Sequence, residues 1–166
     1  VVLGKPIGHG FPLAAVVTTR EIAEVFNNGM EFFSTFGGNP VACAVGLAVL
    51  DVVKEEQLQD NAFRVGNYWL AELENLRNKY PLIGDIRGSG LFLGLDLVLS
   101  RETREPAPLH ASYIVNRLRD RAILAGTDGP HHNVMKLRPP LIFSESDAAH
   151  FSSTLDSILA EDPAQP

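Results

Sequence analysis

From Leu91 to Val98 the chain reads Leu-Phe-Leu-Gly-Leu-Asp-Leu-Val, with a leucine at every second place from 91 to 97. Side chains on a β-strand point alternately to its two faces, so this spacing predicts a strand with one strongly apolar face, in a sheet that needs cover on that side. The neighbouring segments supply the cover. Between about Asp60 and Tyr80, Phe63, Trp69, Leu70, Leu73 and Leu76 recur at near-helical spacing, with Asp60 as the expected cap and Pro81 as the stop. Between about Leu109 and Arg121, Ile114, Val115 and Leu118 form the inner side of an amphipathic helix whose Arg117, Arg119 and Asp120 read as a solvated face. A last helix is expected from Ser144-Glu145-Ser146-Asp147, a capping box with Asp in place of the commoner Glu, and it ends before the tail Asp162 to Pro166. Residues 85–90 read as a short strand and turn, in which Gly88 and Gly90 supply unusual backbone angles, since neither GK[ST] nor a full GxGxxG follows. Ser100 to Pro108 reads as a surface connection. Strands are expected at Ala122–Ala125 and Val134–Leu137, flanking a loop from Gly126 to Asn133. Residues 56–166 thus read as a compact α+β domain of three or four strands with helices on one face.

The first 55 residues have another texture. They suggest strands at 1–4 and 12–18 around a Gly/Pro-rich loop, then a short helix Arg20–Phe26 with Ile22, Val25 and Phe26 on one apolar side. Asn39 before Pro40 is a good N-cap with proline in the first turn, opening a helix of small residues to about Lys54. An apparent strand that starts at Val1 without a preceding partner suggests part of a larger α/β domain, in a chain that is the C-terminal piece of a longer polypeptide.

Composition narrows the function classes. Lys+Arg 14 against Asp+Glu 20 gives a net charge of −6, with no basic stripe, so nucleic acid is an unlikely partner. No apolar stretch approaches the roughly 20 residues that span a bilayer, which argues against a membrane partner. The one cysteine, Cys43, excludes an internal disulfide, reads as a small buried apolar residue, and points to a reducing, cytoplasmic setting. His131-His132 are adjacent and point apart in an extended segment, so no metal is assigned to them. No GxSxG elbow supports a serine hydrolase.

Lys5 carries the chemical reading. It lies in Gly4-Lys5-Pro6-Ile7-Gly8-His9-Gly10, after the apolar run Val1-Val2-Leu3, where a strand end delivers a primary amine into a turn that a planar ligand can approach. Such an amine is either an exposed loop residue or a Schiff-base lysine. A second segment, Ser34-Thr35-Phe36-Gly37-Gly38-Asn39-Pro40, leads into the small apolar run from Val41. The GKPIGHG turn, the segment Pro12 to Val17, the TFGGNP element and the late Arg138-Pro139-Pro140-Leu141 resemble, in that order, the last third of the class III aminotransferases, pyridoxal-phosphate (PLP) enzymes of fold type I.

The resemblance implies the end of a fold type I large domain at 1–55 and its small C-terminal α+β domain at 56–166. It implies PLP bound as a Schiff base by Lys5, and a homodimer in which Thr35 reaches the cofactor phosphate of the other subunit. Where most members that bind a carboxylate have an arginine three places before the Pro-Pro pair, this chain has Lys136; Arg138 follows two residues later, and either could bind an anion. Arginine forks around a carboxylate, whereas lysine is a point charge that also suits phosphate. The stretch GTDGPHHN followed by MKLRPPLIFS is similar to the phospho-lyase branch of the class, which removes ammonia and phosphate from phosphoethanolamine or phosphohydroxylysine. The implied function is therefore an aminotransferase acting on an amine or amino acid and a keto acid, with a phospho-lyase acting on a phosphorylated amine as the alternative. A non-catalytic dimerisation or lid module is the alternative of another class.

Overall fold

The computed structural model describes residues 1–161, and the tail expected from Asp162 lies outside the described residues. The chain divides after Gln57 into two compact units. Gln57 itself has φ 51°, a left-handed conformation that ends one helix before the next begins.

In the first unit β1 (Val2–Leu3) and β2 (Ala15–Val16) pair antiparallel, with Val2 opposite Val16. The strands expected at 1–4 and 12–18 shrink to two residues each. A 3-10 helix, Lys5–Gly8, takes up the chain directly after β1, and its Pro6 has no N–H to offer a ladder. Helix α1 (Arg20–Phe26) forms within its expected bounds, but its apolar side is not covered: Ile22, Val25 and Phe26 are all exposed. Helix α2 (Pro40–Glu55) starts as the sequence predicts. Asn39 Oδ1 accepts from the N–H groups of Val41 and Ala42, each at 3.1 Å, and Pro40 occupies the first turn. Only Ala42 and Gly46 of α2 are buried, so Cys43, expected inside, is exposed on an uncovered part of the helix.

The second unit is a five-stranded antiparallel sheet with three helices over one face. Helix α3 (Leu58–Lys79) begins before Asp60, which therefore sits in the first turn beside the positive end of the helix dipole rather than at the cap. Then come β3 (Ile83–Ser89), β4 (Phe92–Ser100), β5 (Glu105–Pro106), α4 (Pro108–Asp120), β6 (Gly126–Asp128), β7 (Val134–Leu137) and α5 (Glu145–Leu159). The sheet runs β3-β4-β7-β6, and β5, inside the expected surface connection, pairs with the far end of β4. The alternation read in β4 is the core face: Leu91, Leu93, Leu95 and Leu97 are buried against Val65, Trp69 and Leu73 of α3 and Ile114 and Leu118 of α4. Each such leucine is worth about 1.5–3 kcal/mol of transfer free energy. Helix α5 packs on α3 and α4, and the Trp69 ring stands 5.1 Å from the rings of both Phe143 and Phe151. Phe63, read as part of the apolar side of α3, is exposed.

Three local expectations meet different outcomes. The turn expected in 85–90 forms at Gly90, with φ 54° in the hairpin between β3 and β4, while Gly88 lies within β3 at φ 149°; a Cβ on Gly66 of α3 would lie 2.1 Å from the Gly90 carbonyl oxygen. Helix and hairpin thus meet backbone to backbone. The strand expected at Ala122–Ala125 is displaced to Gly126–Asp128. The N–H groups of Arg121, Ala122 and Ile123 turn back onto carbonyls of Leu118 and Arg119, so this stretch closes α4 and cannot join a ladder. The solvated face read on α4 holds for Arg119 and Asp120 but not for Arg117. Its guanidinium donates to both carboxylate oxygens of Glu161, at 2.9 and 3.0 Å, where Arg121 and the Tyr113 hydroxyl also donate. These donors, Arg117 first and Tyr113 next, lower the Glu161 carboxyl to about 2. The cluster ties α4 to the end of α5, which itself opens with the expected capping box of Ser144 and Asp147.

Candidate functional site

Lys5 opens the 3-10 turn after Gly4, which is extended. The turn is closed by hydrogen bonds from Ile7 N–H to Gly4 O (3.2 Å) and from His9 N–H to Pro6 O (3.0 Å), with His9 in the left-handed region at φ 46°. Below it Gly8 is buried and packs on Leu13, and Leu13 lies over Gly46 of α2, where a Cβ would meet it at 2.6 Å. The backbone that carries Lys5 is therefore fixed from two sides. Its side chain is exposed, and its amine has no hydrogen bond or ion pair among the described residues. At Gly10, the far end of the turn, a built Cβ meets nothing within 4 Å. A free primary amine on a fixed backbone, beside open main chain, fits a planar aldehyde-bearing group.

Thr35 lies in the segment before α2. Ser34 Oγ accepts from Gly37 N–H at 3.0 Å and Phe36 O accepts from Asn39 N–H at 3.0 Å, so the turn is built around Thr35 without using its hydroxyl. That hydroxyl is exposed and has no partner among the described residues, which leaves it able to donate to an anion. No hydrogen bond joins Thr35 to Lys5.

Lys136 lies on the open face of the second unit's sheet, because Met135 and Leu137 on either side of it point into the core, and Arg138 follows directly after the end of β7. Strand register places Arg87, Gly94, Lys136 and Gly126 in one row across β3, β4, β7 and β6. Lys136 thus stands between two glycines, with no neighbouring side chain in its row on either side. The next row holds Asp85, Asp96, Val134 and Asp128, and it neutralises the first. Arg87 pairs with Asp85 at 2.7 Å and with Asp96 at 3.2 Å, and Lys136 Nζ donates to Asp128 Oδ2. The Lys136 hydrogen bond, followed by one from Gly129 N–H, holds the Asp128 carboxyl below its ordinary range. Arg138 differs. It is exposed, makes no ion pair among the described residues, and rests over the Phe92 ring with its guanidinium carbon 6.0 Å from the centroid. Lys136 and Arg138 also line an open cleft of about 410 Å³ with Trp69, Ala125, Pro140 and Phe143.

Asp128, the partner of Lys136, does not stand out in the sequence, because it falls inside an expected loop. The signal was present: Gly126 to Asp128 and Val134 to Lys136 alternate around Gly129-Pro130, and antiparallel pairing across that turn sets Asp128 diagonal to Lys136. His131 and His132 are exposed in the remaining loop, and His9 serves the turn through its backbone N–H.

The chain belongs to the aminotransferase class III family, whose model matches residues 1–159. It is 45% identical over 153 residues to an alanine–glyoxylate aminotransferase 2-like protein of Drosophila melanogaster, covering 91% of this chain and 31% of that protein. It is 44% identical over 160 residues to ethanolamine-phosphate phospho-lyase homolog 1 of Caenorhabditis elegans, covering 96% and 34%. Among solved structures, a phospholyase from Arthrobacter in complex with phosphoethanolamine superposes with a TM-score of 0.90 at 41% identity, covering 96% of this chain and 38% of that one. A PLP-bound amine transaminase from an uncultivated Pseudomonas species gives 0.83 at 36% identity, covering 96% and 37%. The chain spans about a third of the length of the curated relatives it matches. Its fold, α/β followed by α+β, is that of the fold type I PLP-dependent transferases. Among the described residues no helix is long and apolar enough to cross a membrane.

Proposed function

We propose that the whole protein is a cytoplasmic, homodimeric, PLP-dependent class III aminotransferase, moving an amino group from an amine or amino acid to a keto acid. The observation that carries this reading is Lys5, a primary amine unpaired among the described residues on a backbone fixed between β1 and α2, in a chain matched by the class III family over residues 1–159. PLP, when bound, supplies an aldehyde for amines and a ring that accepts the electron pair left on the carbon beside the nitrogen. Lys5 holds the group through its amine; once a substrate amine has displaced it, the same amine takes the proton from the substrate carbon bearing nitrogen. The Thr35 hydroxyl donates to the cofactor phosphate across the dimer interface. Arg138 and Lys136 bind the anionic end of the substrate. Residues 1–55 then form the end of the cofactor domain and 56–166 the small domain. The apolar side chains Phe26, Met30, Phe32 and Phe33, each at least 65% exposed, support cover by further protein.

A second reading is a phospho-lyase for a phosphorylated amine. Two cations two residues apart, Lys136 on β7 and Arg138 just past its end, favour it, together with the likeness to the phospholyase that holds phosphoethanolamine. There the proton leaves as before, phosphate departs from the adjacent carbon, and water releases ammonia. The two readings part on a simple assay of the full-length holoenzyme with phosphoethanolamine and with amino-acid donors. Turnover that requires pyruvate or 2-oxoglutarate and releases no phosphate establishes the aminotransferase. Phosphate and ammonia released without an acceptor establish the lyase.

A further inference from the structure

The open face of the sheet and the end of β7 carry three cations and treat them unequally. Among the described residues Arg87 is bound by two aspartates, Lys136 by one, and Arg138 by none. Neither β4 nor β6 shields the Lys136 row, since its neighbours there are Gly94 and Gly126, and a Cβ built on Gly126 meets nothing within 4 Å. An anion seated between Lys136 and Arg138 therefore also meets the Asp128 carboxylate, which is more than half exposed. We propose that Asp128 is a specificity-determining positioning residue. It holds Lys136 toward β6, places a negative charge beside the anion seat, and leaves Arg138 as the leading contact, so that the seat favours a dianion over a monoanion by less than its two cations alone would.

This rests on the reading of Lys136 and Arg138 as the substrate-anion site. The physical basis is the doubled repulsion that a phosphate dianion feels from Asp128, compared with a carboxylate monoanion at the same distance. Arg138 meets either anion with its planar fork while held from below by Phe92. The phosphorylated substrates of the second reading are thus the ones on which Asp128 bears most.

The test is calorimetric titration of the full-length, PLP-loaded protein with inorganic phosphate and, separately, with acetate at pH 7.5, the cofactor filling its own phosphate site. Asp128→Asn keeps an acceptor oxygen for Lys136 and removes the charge. It should tighten phosphate binding by about tenfold at low salt and acetate binding by clearly less, with the difference shrinking in high salt. Asp128→Glu should restore the wild-type order, and Arg138→Gln should weaken both anions more than Lys136→Gln does. In turnover, the Asp128→Asn change should appear as a lower KM for a phosphorylated amine relative to a carboxylated donor. Weaker phosphate binding in Asp128→Asn, or an equal effect on both anions, overturns the proposal. If no variant at 128, 136 or 138 alters binding of either anion, the underlying site assignment fails instead, while the reaction class, decided by the acceptor and phosphate assays, is untouched.

Discussion

Lys136 and Arg138 are equivalent in the sequence and unequal in the fold, and the same contrast separates the four lysines of the chain. Lys79 donates to Asp156 and Lys136 to Asp128, Lys54 lies in the last turn of α2, and Lys5 alone opens a glycine-bounded turn. Borohydride reduction of the full-length holoenzyme should therefore attach the pyridoxyl group to Lys5, as read by peptide mapping; a label on Lys54 or Lys79 ends the assignment. Thr35→Ala should remove a hydrogen bond to a charged group, worth about 1.5–3 kcal/mol, and weaken PLP affinity by roughly 10- to 150-fold without unfolding the chain. Heterodimers of Thr35→Ala with Lys5→Ala subunits should regain activity, because one of their two sites then has both residues intact. Inactive heterodimers, once shown to form, would place the threonine's action within its own subunit. Lys5 and Thr35 can be singled out in the sequence because each sits in a local motif. Asp128 cannot, since its place beside Lys136 depends on which strand pairs with β6.

At the scale of elements, the sequence predicts helices better than strands, for a reason visible in the caps. Asn39 and Ser144 satisfy N–H groups two and three residues away, so their helix starts are decided locally. Asn39→Ala should cost about 1 kcal/mol and show as a lower denaturation midpoint. The position of β6 was decided elsewhere. Its expected place is consumed by the close of α4, and its actual residues are selected by pairing with β7. The contact of α3 with the β3–β4 hairpin is likewise tertiary: Gly66→Ala pushes a Cβ against the Gly90 carbonyl and should destabilise the protein by about 1–3 kcal/mol. A urea midpoint unchanged in Gly66→Ala would mean that the hairpin yields.

At the scale of the whole molecule, the Glu161 cluster makes an acid-sensitive fastening. Its carboxyl falls from 4.5 to about 2 in the folded chain, so its stabilisation is fully present above pH 4.5 and is lost as pH falls toward 2. Glu161→Gln should lower the melting temperature at pH 7, and its difference from wild type should close between pH 4.5 and 2. A loss of equal size at every pH would mean that shape rather than charge is at work. Asp156, lowered by Lys79 and Tyr80, acts in the same direction on the contact of α3 with α5.

Along one strand the sequence determines its own outcome: the leucines of β4 can be buried only on one face, and that spacing alone calls for helices above it. The capping residues and the glycine turn around Lys5 are of the same kind, because their partners lie a few residues away. Tertiary structure decided what depends on distant pairing. It moved β6 onto Gly126–Asp128, drew Arg117 out of the solvated face toward Glu161, and set Asp128 against Lys136 while leaving Arg138 open. Charge is written in the sequence, but whether a charge is neutralised depends on the residue that the sheet register sets beside it.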